Sequence, residues 1–213
     1  MGYVLELLPA LFEGMITTLK VFAITLLFSV PLGVIISILR LSKKGVISKI
    51  TKTYILIMRG TPLLLQIIFV FFGLPTIGIV FDRFTSIILA FTLNYAAYFG
   101  EIFRSGLSAV DKGQYEAATM LGMSKIQTLR RVVLPQVIKI TLPVVANEVI
   151  TLVKDTSLVY IVGISDMLRV GKIASNRDVT LLPLLIVGLI YLTLTALFTR
   201  AFDKLEESLS YYE

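Results

Sequence analysis

The sequence predicts an all-α integral membrane protein, a bundle of five transmembrane helices. Three observations predict it. Hydrophobic residues make up 56 % of the 213 and charged residues only 16 %, whereas soluble domains run near 45–50 % and about 25 %. The apolar residues gather into long stretches with few or no charges, matching the about 20 residues that a helix needs to cross a hydrocarbon core of roughly 30 Å. The basic residues cluster between those stretches, which explains a net charge of +6 without any nucleic-acid partner. A soluble globule of this size could not bury five helices that are apolar on all sides. The chain has no Cys and no His. Disulfides, thiolate nucleophiles, Cys/His zinc sites, haem histidines and histidine bases are therefore excluded.

Residues 1–13 carry Glu6 and Glu13 and no basic stretch, so they do not read as a cleavable signal peptide. The first span, about 14–39, is expected to act as its own insertion signal. Its core is the uncharged run 21–39. The second uncharged run is 60–81, giving a span at about 54–73. It opens with Arg59-Gly60-Thr61-Pro62, where Gly60 and Thr61 leave the backbone accessible and Pro62 suits a first helical turn. Gly60 and Thr61 are candidate substrate-path residues; a helix-start device beside a snorkelling arginine is the alternative. The third span covers 84–108. The fourth, 132–153, carries Lys139 and Glu148, and Pro135 and Pro143 interrupt its pattern. A short helix is expected around 165–174, followed by the fifth span at 179–200. The tail 202–213 is amphipathic, with Glu206 and Glu207, and suggests no specific role.

Five spans give connections on alternating sides. One side collects Arg40, Lys43, Lys44, Lys49, Lys52 and Arg59, then Arg104, Lys112, Lys125, Arg130 and Arg131, then Arg200 and Lys204. The other side holds only Arg83, Lys154, Arg169, Lys172 and Arg177. Basic residues stay in the cytoplasm, so the N-terminus is expected outside and the C-terminus inside.

The one long loop, 109–131, contains two helix signals. Asp111 and Gly113 mark a start, 114–121 reads as a short helix, and Gly122 reads as its C-terminal cap. Tyr115, Ala118 and Leu121 are expected to share a face, with Ala117 adding a small surface. A second stretch, 124–133, begins at a capping Ser124. A short helix with a small-residue face suits a groove on a soluble protein. It also suits lying on lipid headgroups, and spacing alone leaves both open.

Ionisable groups within spans are costly and usually face a bundle interior or a wet cavity. Asn94 and Glu101 are seven apart with Tyr98 between them, so they share one helical stripe. Glu148 and Asp155 form a second stripe, with Asn147 and Thr151 close by. Two helices thus present carboxylates that can accept hydrogen bonds from an ammonium or guanidinium group. Structural alternatives exist for each. Glu101 can pair with Arg104, Asp155 can cap the helical turn after it, and Glu148 can pair with Lys139 or Lys20.

These residues also carry a family resemblance. Glu116-Ala117-Ala118, three residues, Gly122, nine residues and Val132-Val133-Leu134-Pro135 resemble the EAA loop of ABC importer permeases. Val132 stands where isoleucine is commoner. Thr17-Thr18-Leu19-Lys20-Val21, Arg59-Gly60-Thr61-Pro62-Leu63, Asn94-Tyr95-Ala96-Ala97-Tyr98 and Lys154-Asp155-Thr156-Ser157-Leu158 look like the polar amino acid branch of that family. The resemblance covers nearly the whole chain. It implies a type I importer permease fold and a bacterial inner-membrane location. Glu116, Ala117, Ala118 and Gly122 would form the coupling helix, seated in a separate ATPase subunit that carries ATP and Mg. No phosphate-binding loop occurs in this chain, so no cofactor is expected here. Further implied partners are a second permease subunit, with a homodimer favoured, and an extracytoplasmic amino acid-binding protein. The region around 165–174 would be an external gate or that protein's docking surface. The expected substrate-path residues are Gly60, Thr61, Asn94, Tyr98, Glu101, Glu148, Asp155 and Ser157. Three intramembrane acids favour a cationic amino acid, carried by ATP-driven alternating access. The competing readings are an ion-coupled secondary transporter, although no internal repeat is visible, and an integral-membrane enzyme, although no nucleophile–base cluster stands out.

Overall fold

The structure, a computed structural model, describes residues 2–209. Its helices are α1 (Gly2–Arg40), α2 (Gly45–Gly60), α3 (Leu63–Ile68), α4 (Arg83–Ala109), α5 (Lys112–Met120), α6 (Lys125–Thr128), α7 (Leu134–Asp155), α8 (Met167–Asp178) and α9 (Leu182–Leu209). Wide and tight turns extend α3 to Ile77, join α6 to α7 and follow α7 to Val162. Among the described residues, four helical runs are long and apolar enough to cross a membrane: Leu5–Arg40, Arg83–Ala109, Lys125–Val162 and Leu182–Leu209. A fifth crossing exists only as a bent pair, Gly45–Gly60 with Leu63–Ile77, at 104° to one another.

That bend corrects the expected second span, a single rod over 54–73. The helix starts nine residues earlier, at Gly45, and stops at Gly60. Pro62 disfavours helical backbone in the residue before it. Thr61 is accordingly extended, with φ −119° and ψ 146°, and Pro62 precedes α3 instead of forming its first turn. The first span is also longer than expected. Glu6 and Glu13 ride on its exposed face, while Leu7 and Leu11 bury against α8 on the other. α9 runs past residue 200 to Leu209; residues 210–213 of the expected amphipathic tail lie outside the described residues. Pro135 falls in the first turn of α7, where its missing N–H is an orphan anyway. Pro143 is carried inside the continuous helix.

The centre of the bundle is the α1–α4 pair, with α3 and α7 packed beside it. Val21, Ile67, Phe91, Tyr95, Phe99, Leu152 and Val159 form its buried core. Lipid tails are as apolar as leucine, so close packing of small residues drives such contacts. Thr18, Thr25, Ser29 and Ser37 are all buried along α1. A methyl at Gly33 would lie 2.6 Å from Phe99 Cβ, and one at Gly100 would lie 2.5 Å from Ile36 Cγ2. Gly100→Ala is therefore expected to push α1 off α4 and cost about 1–3 kcal/mol, read as a lower melting temperature in detergent. Wild-type melting of this variant would disprove the close approach.

Candidate functional site

The break between α2 and α3 must satisfy its own backbone, because lipid offers no water to orphaned carbonyls. Thr61 does part of this through its N–H and its hydroxyl, both donated to Ile57 O at 3.1 and 2.8 Å. Met58 O receives two side-chain amides, Gln66 Nε2 at 2.9 Å and Asn94 Nδ2 at 2.8 Å. Asn94 Nδ2 also donates to Gln66 Oε1 at 3.0 Å, and Gln66 Nε2 to Thr61 Oγ1 at 2.8 Å. Asn94 and Gln66 thus hold the broken helix open as a clamp. Sequence reasoning missed Gln66, a single neutral amide in an apolar run. Gln66→Leu and Gln66→Glu are both expected to cost about 1–3 kcal/mol by removing the amide that ties Thr61 to Met58 O, which keeps only its bond from Asn94, measured as thermal stability of the isolated chain. If neither variant melts earlier, the clamp carries no stability.

Against this break lies a cavity of about 430 Å³. Its walls are Arg59 to Leu63 at the break, Asn94, Tyr95 and Tyr98 on α4, and Glu148, Thr151 and Asp155 on α7. Six of the expected substrate-path residues therefore meet here: Gly60, Thr61, Asn94, Tyr98, Glu148 and Asp155. The seven-residue spacing along α7 sets both of its carboxylates on the cavity. Tyr95, fully buried, donates its hydroxyl to Asp155 Oδ2 at 2.8 Å. That contact aims Asp155 across the cavity; its side chain does not cap the turn that follows. The Arg59 guanidinium stands over the Tyr98 ring, 5.0 Å from its centroid, a favourable cation–π geometry.

Two expected residues lie elsewhere. Ser157 is half-buried in the turn after α7 and is not part of this wall. Glu101 lines an adjoining cavity of about 380 Å³ with Arg40, Lys52, Arg59 and Tyr98. It is engaged by Arg104 in a two-pronged ion pair, with Nη2–Oε1 2.6 Å and Nε–Oε2 2.9 Å. The structural alternative for Glu101 is thus realised. Lys139, offered as a partner for Glu148, lies instead in a cleft with Glu206 and Glu207. Arg59, counted above among loop cations, stands at the junction of these cavities.

The second candidate surface is the loop helix α5. Asp111 caps it by accepting Gly113 N–H at 2.6 Å. Gly122 ends it with φ +73°, the left-handed conformation that glycine adopts without penalty. Gly122 N–H reaches Thr119 O at 2.9 Å and Met123 N–H reaches Ala118 O at 3.0 Å, which closes the terminal carbonyls. Ser124 then opens α6 with a reciprocal capping box to Gln127. Ala118 is buried, whereas Glu116 and Ala117 are exposed. Of the expected face Tyr115, Ala118 and Leu121, only Ala118 is buried against the chain. Met120 is 90 % and Leu121 81 % exposed.

At the opposite flank α8 packs on α1, with Gly14 against the Asp166–Met167 backbone. Asp166 caps α8 by accepting Leu168 and Arg169 N–H at 3.1 and 3.0 Å. Burial pushes its carboxyl above the usual carboxylate range, and these two amides offset part of that rise.

Residues 29–211 match the family described as binding-protein-dependent transport system inner membrane component. The chain is 37 % identical to the arginine transport system permease protein ArtQ of Bacillus subtilis, over 95 % of this chain and 93 % of that protein. It is 34 % identical to the putative glutamine transport system permease protein GlnP of Rickettsia conorii, over 92 % and 93 %. Among solved structures, an amino acid ABC transporter crystallised with histidines superposes with a TM-score of 0.89 at 33 % identity, covering 97 % of each chain. The methionine transporter MetNI shares the fold, with a TM-score of 0.71 at 18 % identity. Proteins of this kind are permease components, with ATP hydrolysis on a separate subunit. The chain belongs to this family of multi-pass inner-membrane components, as the permease subunit of a polar amino acid ABC importer.

Proposed function

We propose that the subunit conducts a cationic amino acid by alternating access through the cavity beside the broken helix. The observation that carries this reading is the charge of that cavity. Glu148 and Asp155 face it from α7, and Arg59 enters it from α2. Two carboxylates and one guanidinium leave one uncompensated negative charge. An amino acid with a cationic side chain carries one net positive charge and cancels it. Its α-carboxylate matches Arg59, and its two cationic groups match Glu148 and Asp155. A zwitterion such as glutamine would leave one carboxylate unpaired in a low-dielectric wall. The name of the Bacillus subtilis relative, an arginine permease, agrees with this choice, while the Rickettsia relatives are named for glutamine. Gly60 and Thr61 would contribute backbone groups.

In the same proposal α5 is the coupling helix. Glu116, Ala117, Ala118 and Gly122 seat in a cleft of the ATPase, which supplies ATP and Mg. Two copies of this chain form the pore, and an extracytoplasmic binding protein delivers the substrate from the side of the N-terminus. Uptake into vesicles holding the assembled transporter tests the substrate class. Arginine, lysine or histidine should compete with one another far better than glutamine or glutamate competes with any of them. Equal competition by glutamine would overturn the cationic assignment. The orientation is checked separately, because the chain has no native cysteine. A single cysteine at Glu116 should react with an impermeant maleimide only from the cytoplasmic side. Labelling from the outside would invert the topology.

A further inference from the structure

We propose that the hairpin joining α1 to α2 is a binding surface for anionic phospholipid, drawn from the bilayer leaflet on its own side of the membrane. It rests on the chain's membrane-spanning character and on no step of the transport cycle. No Asp or Glu occurs between Glu13 and Asp82. Within that interval Lys43, Lys44 and Lys49 are exposed on the hairpin, and none of their ammonium groups is paired with a described residue; Lys52 belongs instead to the cavity that holds Glu101. The hairpin that presents them is closed firmly. Arg40 donates to Ser48 Oγ at 2.7 Å, and Ser48 Oγ donates back to Arg40 O at 2.9 Å. Arg40 is thereby occupied, and the lysines remain free for an outside anion.

The helix beneath them is two-faced. Thr51 and Ile55 bury against the bundle, while Val46 is 71 % and Ile50 66 % exposed on the outward side. Lys49 lies three residues beyond Val46 and one before Ile50, so it borders this apolar strip. An acidic protein surface would satisfy the lysines but would leave Val46 and Ile50 against polar groups. A bilayer edge satisfies both, with the apolar side chains in the acyl region and the lysine stems reaching up to the phosphates. Phosphate–lysine attraction at a membrane surface contributes about 1 kcal/mol per residue, so the cluster is a strong local anchor. It holds the end of the helix whose other end brings Arg59 into the cavity.

The full chain in a non-ionic detergent is offered equal amounts of phosphatidylglycerol and phosphatidylcholine, and retained lipid is counted by native mass spectrometry. The wild-type chain should retain phosphatidylglycerol about tenfold or more over phosphatidylcholine, from a few lysines of about 1 kcal/mol each. Replacing Lys43, Lys44 and Lys49 by glutamine should erase the preference, and replacing them by arginine should keep it. These positions are exposed, so fold is unaffected, and circular dichroism of each variant checks this. A wild-type chain without preference overturns the proposal, as does a glutamine variant that keeps it. If soluble glycerol phosphate displaces the phosphatidylglycerol as well as lipid micelles do, the site is one for free phosphate and the lipid assignment falls. The readout needs no ATPase, binding protein or amino acid, so its failure is separable from failure of the transport reading.

Discussion

In vesicles holding the assembled transporter, Glu148→Gln and Asp155→Asn are each expected to slow arginine uptake by about tenfold to a hundredfold at limiting substrate. The range follows from losing one charge-assisted hydrogen bond, about 1.5–3 kcal/mol. Both carboxylates sit on the wall of the same cavity, and neither belongs to the loop helix that would meet the ATPase. Assembly and ATP hydrolysis without substrate should therefore persist. Glutamine uptake, where measurable, should fall less, since glutamine lacks the second cation. Tyr95→Phe tests how Asp155 is aimed. It removes the hydroxyl 2.8 Å from Oδ2 and should raise the apparent KM for arginine several-fold while leaving the maximal rate nearly intact. Uptake undiminished in both carboxylate variants would take the pair off the substrate path. Equal losses of arginine and glutamine uptake would make them part of the moving machinery instead.

The two acids could be read from the sequence because charge within an apolar run is conspicuous and the seven-residue spacing fixes a shared face. The unbroken spans were legible for the same reason. The broken span was not. Lys49 and Lys52 make the first half of α2 look like a loop, although one face of the helix packs inside the bundle. Only the pair Thr61-Pro62 hints at the bend, and the same pair also fits an ordinary helix start. Gln66 and Tyr95 went unseen because an amide or a phenol in an apolar stretch gives no signal of its partner. Their roles depend on Met58 O and Asp155, which are brought near only by the fold. Glu101 illustrates the reverse case. Spacing allowed a cavity stripe and an ion pair with Arg104 equally, and close bidentate geometry decided for the pair.

Placing one arginine on the loop helix, by Ala117→Arg, is expected to reduce co-purification of the ATPase subunit at least tenfold and to abolish ATP-driven uptake. Ala117 is exposed beside the exposed Glu116, and Ala118 behind it is buried against the chain's own helices. A bulky cation there meets only what docks from outside, so the isolated permease should melt as the wild type does. Gly122 separates shape from contact. At φ +73° a side chain has open space around it but carries a backbone penalty of about 1 kcal/mol. Gly122→Ala should weaken ATPase association several-fold by loosening the turn that holds Leu121 outward. Gly122→Asn, whose residue tolerates the left-handed region, should fall between alanine and the wild type. Gly122→Arg adds bulk to strain and should match Ala117→Arg. A chain carrying Ala117→Arg that still recruits the ATPase and transports would remove α5 from the contact, leaving it as a helix resting on the headgroups.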